Sequence, residues 1–144
     1  MPNDEHYRKL ERMYLGAPIN RFYRPEMHIS EGRAEVVIQV RSDLFHAAGA
    51  VHGGVYLKLL DDSAFFAANS LAEDCFLLTA SLNSYLTRPV REGVMRAIGQ
   101  VVHRSGRLFI AESVVVDGEG REVARGSGLM TRSSIALTRE IGYV

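Results

Sequence analysis

The segment Gly53-Gly54-Val55-Tyr56-Leu57-Lys58-Leu59-Leu60-Asp61-Asp62, continuing to about Asn69, constrains the fold more than any other part of the chain. It is long enough for a helix of about four turns. Val55, Tyr56, Leu57, Leu59, Leu60, Phe65, Phe66 and the alanines surround its axis instead of forming one stripe. A helix apolar all round must be covered on most sides. Two adjacent carboxylates inside it are costly unless they are paired or put to use, so the segment that builds the core also asks for chemistry.

The flanking sequence supplies the cover. Asn3 or Asp4 can cap a short helix with Tyr7, Leu10 and Tyr14 on one side, ended by Gly16 and Pro18. Met27 to Ile29 and Arg33 to Val40 form a half-buried hairpin joined at Glu31-Gly32, with Ala34, Val36, Ile38 and Val40 on its apolar face. Beyond the long helix, Phe76 to Arg88, Val94 to Arg104, Leu108 to Val116 and Arg121 to Thr131 are strand-like. Ser105-Gly106 and Asp117-Gly118-Glu119-Gly120 make the turns between the later ones. This order predicts an α+β fold in which an antiparallel sheet of five to six strands wraps around one long central helix. A sheet covers only part of such a helix, so the remaining side is expected to meet a second copy in a homodimer. One domain spans residues 1–144, and the tail after about residue 132 has no assigned role.

Lys plus Arg and Asp plus Glu both number 17, which gives no electrostatic ground for a nucleic-acid or membrane partner. Cys75 is the only cysteine; no internal disulfide can form, a cytoplasmic location is expected, and the thiol is read as a small core residue. The first residues lack an apolar signal core, and no run of about 18 apolar residues is present. His6, His28, His46, His52 and His103 show neither HExxH spacing nor a companion cysteine pair, so no metal and no cofactor are expected. Gly126-Ser127-Gly128 lacks the third glycine of a dinucleotide fingerprint.

His52-Gly53-Gly54 differs from these because its parts fit one task. Glycines in the first turn of a helix let a ligand approach N–H groups without internal partners, where the helix dipole adds partial positive charge. A carbonyl under attack is stabilised there, and Asp61 offers a carboxylate that can serve as base or nucleophile on it. The eight residues from Gly53 to Asp61 span roughly 12 Å along a helix. One helix cannot present both groups to one carbonyl, so the acid is expected from a partner subunit whose helix runs antiparallel, giving two equivalent sites per dimer.

His52-Gly53-Gly54, four residues, Leu59, one residue, Asp61, five residues and Ala67 together resemble the signature of hotdog-fold acyl-CoA thioesterases of the phenylacetate-pathway (PaaI-like) type, within the 4-hydroxybenzoyl-CoA thioesterase superfamily. Gly49, the run Asn83 to Pro89 and Val123 to Gly128 add to the likeness, which covers roughly 33–131. The resemblance implies a hotdog fold, dimers that often pair into tetramers, and metal-independent hydrolysis of an acyl-CoA to free acid and CoA. It places the polarising amide at Gly53 and the catalytic carboxylate at Asp61. Adjacent Asp62 offers the same chemistry, but its spacing fits less well and a helical rotation of about 100° sends it elsewhere. Thr79 stands where some relatives carry a water-positioning hydroxyl, or else is simply a β-branched strand residue, and His46 stands where many carry Asn or Gln near the thioester. His52 is expected to tie the helix start. Arg88, Arg104 and Arg107 are the candidates for holding CoA, and Phe65, Phe66 and Tyr85 line an acyl pocket or fill the core. A non-catalytic acyl-CoA-binding protein and a hydratase or dehydratase on the same fold are the alternatives.

Overall fold

A computed structural model describes residues 3–144. Helix α1 (Asp4–Gly16) and the single turn α2 (Asn20–Tyr23) precede strands β1 (Glu26–Ser30) and β2 (Arg33–Gln39). The long helix α3 (Gly53–Asn69) is followed by β3 (Leu78–Leu86), β4 (Val94–Arg104), β5 (Leu108–Val116) and β6 (Glu122–Thr131). All neighbouring strands are antiparallel, in the order β1-β2-β4-β5-β6-β3. The expected hairpins and α3 lie where the periodicity puts them. The turn α2 was not expected, because four residues are too few to show a period.

The chain leaves β2 near one edge of the sheet and enters β3 at the other, so α3 has to cross the sheet face between them. A row of small residues in register, Ala34, Gly99, Ser113, Gly126 and Ser84, runs across β2, β4, β5, β6 and β3. A Cβ at Gly99 would lie 2.1 Å from the Ser63 carbonyl oxygen. The helix therefore rests backbone against backbone on β4, which no larger residue there permits. Leu59, Leu60, Ala64, Ala67 and Ala68 meet Met95, Ala97, Phe109, Ala111 and Val115 in the core this creates.

The side of α3 turned away from the sheet is only partly open, so the surface left for a second copy is narrower than the all-round apolar pattern implies. Helix α1 lies along its later half: the Tyr14 ring packs edge-on against Phe66 at 5.1 Å, and the His6 ring nitrogen Nε2 donates to the Asn69 carbonyl at 2.9 Å. What stays open is a stripe one turn apart, Gly53, Leu57 and Asp61, beside β3. That strand is a sheet edge of nine residues, none of them buried, with Leu78, Tyr85 and Leu86 well exposed. The segment after β6 also has structure. Ile135 accepts from the Phe76 amide at 2.8 Å, Ala136 bridges Cys75, and Arg139–Ile141 form a single turn. Residues 133–144 are docked on the body, where sequence reading had assigned them no role.

Candidate active site

Two recesses flank β3, one at each end of the exposed stripe of α3. The smaller, about 280 Å³, is lined by His46, Gly53, Tyr56, Leu86, Arg88 and Pro89 among others. His52 caps α3: its Nδ1 accepts from the Gly54 amide at 2.8 Å. That satisfies one of the free donors of the first turn and leaves the Gly53 amide with no acceptor among the described residues. The loop before it is a tight turn in which Gly49, at φ 84°, donates to the His46 carbonyl at 3.0 Å. His46 is exposed, and its Nδ1 accepts from the Ala48 amide at 3.1 Å. A neutral ring held this way carries its proton on Nε2, so it can donate there as a carboxamide N–H would. Tyr56 fixes the Arg88 backbone by donating to its carbonyl at 2.8 Å.

The larger cavity, about 780 Å³, contains Asp61 and Thr79. The Thr79 hydroxyl donates to Asp61 Oδ1 at 2.8 Å. A β-bulge makes this contact possible. Between Thr79 and Ser81 the register against β6 shifts, so an odd-numbered residue joins the even-numbered Leu82, Ser84 and Leu86 on the helix side. Burial raises the Asp61 pKa above the usual carboxylate range. The Thr79 hydrogen bond opposes that rise, the Asp62 charge adds to it and Lys58 opposes it.

Asp62, one residue on, is committed differently. It accepts from Lys58 Nζ and from the Tyr14 hydroxyl, both at 2.6 Å, and ties α3 to α1. The helical rotation expected to send it elsewhere does so. Burial and the Asp62 charge push the Tyr14 hydroxyl pKa strongly up, so it stays a donor. Lys58 also lies over the Tyr14 and Tyr23 rings.

Within one chain, then, His46, His52, Gly53 and Arg88 gather at the start of α3, and Asp61 and Thr79 gather two turns on. Arg104 and Arg107 join neither group. Arg104 ends a register row Thr79, Met130, Phe109, Arg104, three strands and about 14 Å from Thr79. Phe65 and Phe66 are core residues and also line the larger cavity. Tyr85 does neither; it is 72% exposed on the edge strand, on the opposite pleat from Ser84 and Leu86. Cys75 is buried, with Arg132 3.8 Å from its sulfur. Lys58, Tyr14 and the turn after β6 line the Asp61 cavity without having been singled out from sequence. Only the apolar face of α1 hinted at Tyr14.

Residues 48–124 match the family model of the thioesterase superfamily. A Mycobacterium tuberculosis protein named as an esterase, Rv1847, is 30% identical over 97 residues, covering 65% of this chain and 69% of the relative. One from Thermoplasma volcanium, also named as an esterase, is 24% identical over 107 residues, with 74% and 80% covered. The PaaI protein of the E. coli phenylacetic acid degradation operon superposes with a TM-score of 0.85 over 94% of this chain and 99% of its own, at 20% identity. A variant of the phenylacetic acid degradation protein PaaI from Thermus thermophilus gives 0.74 over 81% and 100%, at 26% identity.

Proposed function

We propose, for a chain that belongs to the thioesterase superfamily as a PaaI-like hotdog hydrolase, that its substrate is an acyl-CoA and that its reaction centre is shared between two subunits. The observation that carries the reading is the half-buried Asp61 carboxylate, held by Thr79 at the wall of a cavity roomy enough for an acyl group.

The exposed edge of β3 supports the dimer. An exposed nine-residue edge presents unpaired backbone groups and apolar side chains, a surface suited to pairing with a copy of itself. Leu86 lies against Gly53 and Thr79 against Asp61, so β3 runs alongside the open stripe of α3 in the opposite direction. Antiparallel pairing of two β3 strands about a two-fold axis near Leu82 sets residue 79 of one chain opposite residue 86 of the other. The Asp61 cavity of each subunit then faces the Gly53 recess of its partner. Pairing of two such dimers would give a homotetramer of the same chain.

In that site the Gly53 amide polarises the thioester carbonyl, and the His46 Nε2–H donates beside it. In one route Asp61 of the partner subunit takes a proton from water as the water oxygen attacks the carbonyl carbon; the C–S bond breaks, and the thiolate takes up that proton to leave free acid and CoA. In the other an Asp61 oxygen attacks and the C–S bond breaks, so that CoA leaves as the thiolate and a mixed anhydride remains; water then hydrolyses the anhydride, releasing the acid, restoring Asp61 and supplying the thiolate's proton. Thr79 orients the carboxylate. Arg88, beside Gly53, is placed to hold the CoA phosphates, and Arg104 and Arg107 serve a more distant stretch of the nucleotide. We place the reaction in the cytoplasm, and we propose that it needs no metal.

Measuring thiol release from a panel of acyl-CoAs tests this reading. Release from at least one class is expected; tight binding without release of any would favour the binding-protein alternative, and loss of the acyl double bond or hydroxyl with the thioester intact would favour the hydratase. A single turnover in heavy-oxygen water separates the two roles of Asp61, because label retained in the enzyme marks the nucleophile.

A further inference from the structure

One wall of the cavity beside Asp61 is the turn after β6: Arg139, Glu140, Ile141 and Gly142. Three large apolar side chains that the core leaves uncovered come from three separate segments and meet around this cavity. They are Ile19, between α1 and α2 and 57% exposed, Leu78, opening β3 and 45% exposed, and Ile141, 38% exposed. Apolar side chains gathered around a concave space are the mark of an apolar ligand. Another wall is part of the core. Phe65 packs edge-on against Phe66 at 5.0 Å and tilted against Phe76 at 5.1 Å, and Leu77 is fully buried. Their positions are fixed by the packing that holds the fold.

The turn is held in another way, by contacts on its two flanks. Upstream, Ser133 donates to the Phe76 carbonyl and Ile135 accepts from the Phe76 amide. Downstream, the Tyr143 hydroxyl donates to His6 Nδ1 at 2.7 Å while Lys9 lies over its ring, and Arg12 donates to the Val144 carbonyl at 2.7 Å. Gly142 lies against Met13, where a Cβ would come within 3.4 Å of the Met13 Cα. The turn between these anchors contributes no buried residue. Its side chains can therefore vary in size without disturbing the core.

We propose that this turn is the acyl gauge of the site: it limits the length of apolar acyl group that the cavity admits, and Ile141 is the specificity-determining side chain. The proposal rests on the acyl-thioester reading of the cavity, and its test separates the two. Straight-chain acyl-CoAs of graded length are assayed for kcat/KM, and the matching free carboxylic acids are titrated by calorimetry, with the unaltered protein, Ile141→Ala and Ile141→Trp. Ile141→Ala is expected to move the optimum to longer chains by roughly one or two carbons. Ile141→Trp is expected to move it to shorter chains, lowering kcat/KM for the longer substrates by about 10-fold, the discrimination that a methylene-sized change in an apolar pocket supports.

The acid titrations should shift in the same two directions. If the acids shift so while no acyl-CoA is hydrolysed, the gauge stands and the thioesterase reading fails. If turnover is present but the three length profiles coincide, or both variants lose all lengths equally, the gauge is overturned. If no acid binds and no thioester is cleaved, both fail.

Discussion

The first turn of α3 and the turn that carries Asp61 lie on one face of one helix, yet they are built for opposite charges. The first is open and glycine-lined, with a free amide at Gly53 and a donor-bearing imidazole beside it at His46. The other is half-buried, holds a carboxylate whose pKa burial raises, and offers that carboxylate a hydroxyl donor from β3. One end is suited to an oxygen gaining negative charge and the other to accepting a proton. Their separation along the helix keeps them from serving one substrate in one chain. In the proposed dimer, the contrast means that one helix carries both halves of a reaction and its symmetry mate brings them together.

The most direct way to break this picture is to disable each half separately. Asp61→Asn keeps size and hydrogen bonding but removes the carboxylate, and turnover should fall by about 10² or more. Gly53→Pro removes the amide hydrogen at a position where proline suits a helix start, since His52 already has the extended backbone (φ −62°, ψ 141°) that precedes proline. It should cost about 10²-fold as well. The two inactive proteins, unfolded and refolded together in equal amounts, should regain about a quarter of the unaltered rate, because half of the dimers are then mixed and each mixed dimer has one intact site. No recovery, with mixed dimers shown to form by native mass spectrometry, would place both groups of a working site in the same chain.

A smaller effect sharpens the description of the acidic half. Thr79→Val removes the hydrogen bond that holds the Asp61 pKa down against burial. The carboxyl then titrates at higher pH. A reaction that needs the carboxylate loses rate as pH falls through that value, so the acid limb of kcat/KM should move to higher pH, with a loss of about 10-fold at neutral pH. An unmoved limb would mean that Asp61 is not the group titrating in it.

How far these halves could be read in advance depended on the range of the contacts. The bounds of α3 and the three hairpins follow from periodicity and glycine-bearing turns, which are local. His52, Gly53 and Asp61 were legible because a glycine pair at a helix start and an acid in an apolar helix each break a local rule. The bulge that turns Thr79 toward Asp61 was not legible, because the exposed edge strand Leu78–Leu86 has no clear apolar alternation whose phase could be seen to reverse. Tyr85 was misplaced because an aromatic residue in a strand reads as core until the strand is known to be an edge. The cover over α3 rests on Tyr14 packing against Phe66 and His6 bonding to Asn69, and no pattern of neighbouring residues encodes contacts so distant in sequence.

Asp62 supplies the control for the comparison and the smallest expected change in rate. Its carboxylate is bound by Lys58 and Tyr14, with the Lys58 and Asp62 side chains only 12% and 16% exposed, so its work is to fasten α3 to α1. Asp62→Asn should cost about 2 kcal/mol of stability, the usual worth of hydrogen bonds to a charged group, visible as a lower midpoint in urea unfolding. Its electrostatic effect has the opposite sign to that of Thr79→Val. Removing the Asp62 charge, which raises the Asp61 pKa, while leaving Lys58, which lowers it, should move the acid limb to lower pH. A fall in turnover at neutral pH as large as that of Asp61→Asn would show that the chemistry uses both aspartates, and the division of α3 into a binding end, a reacting acid and a structural acid would have to be redrawn.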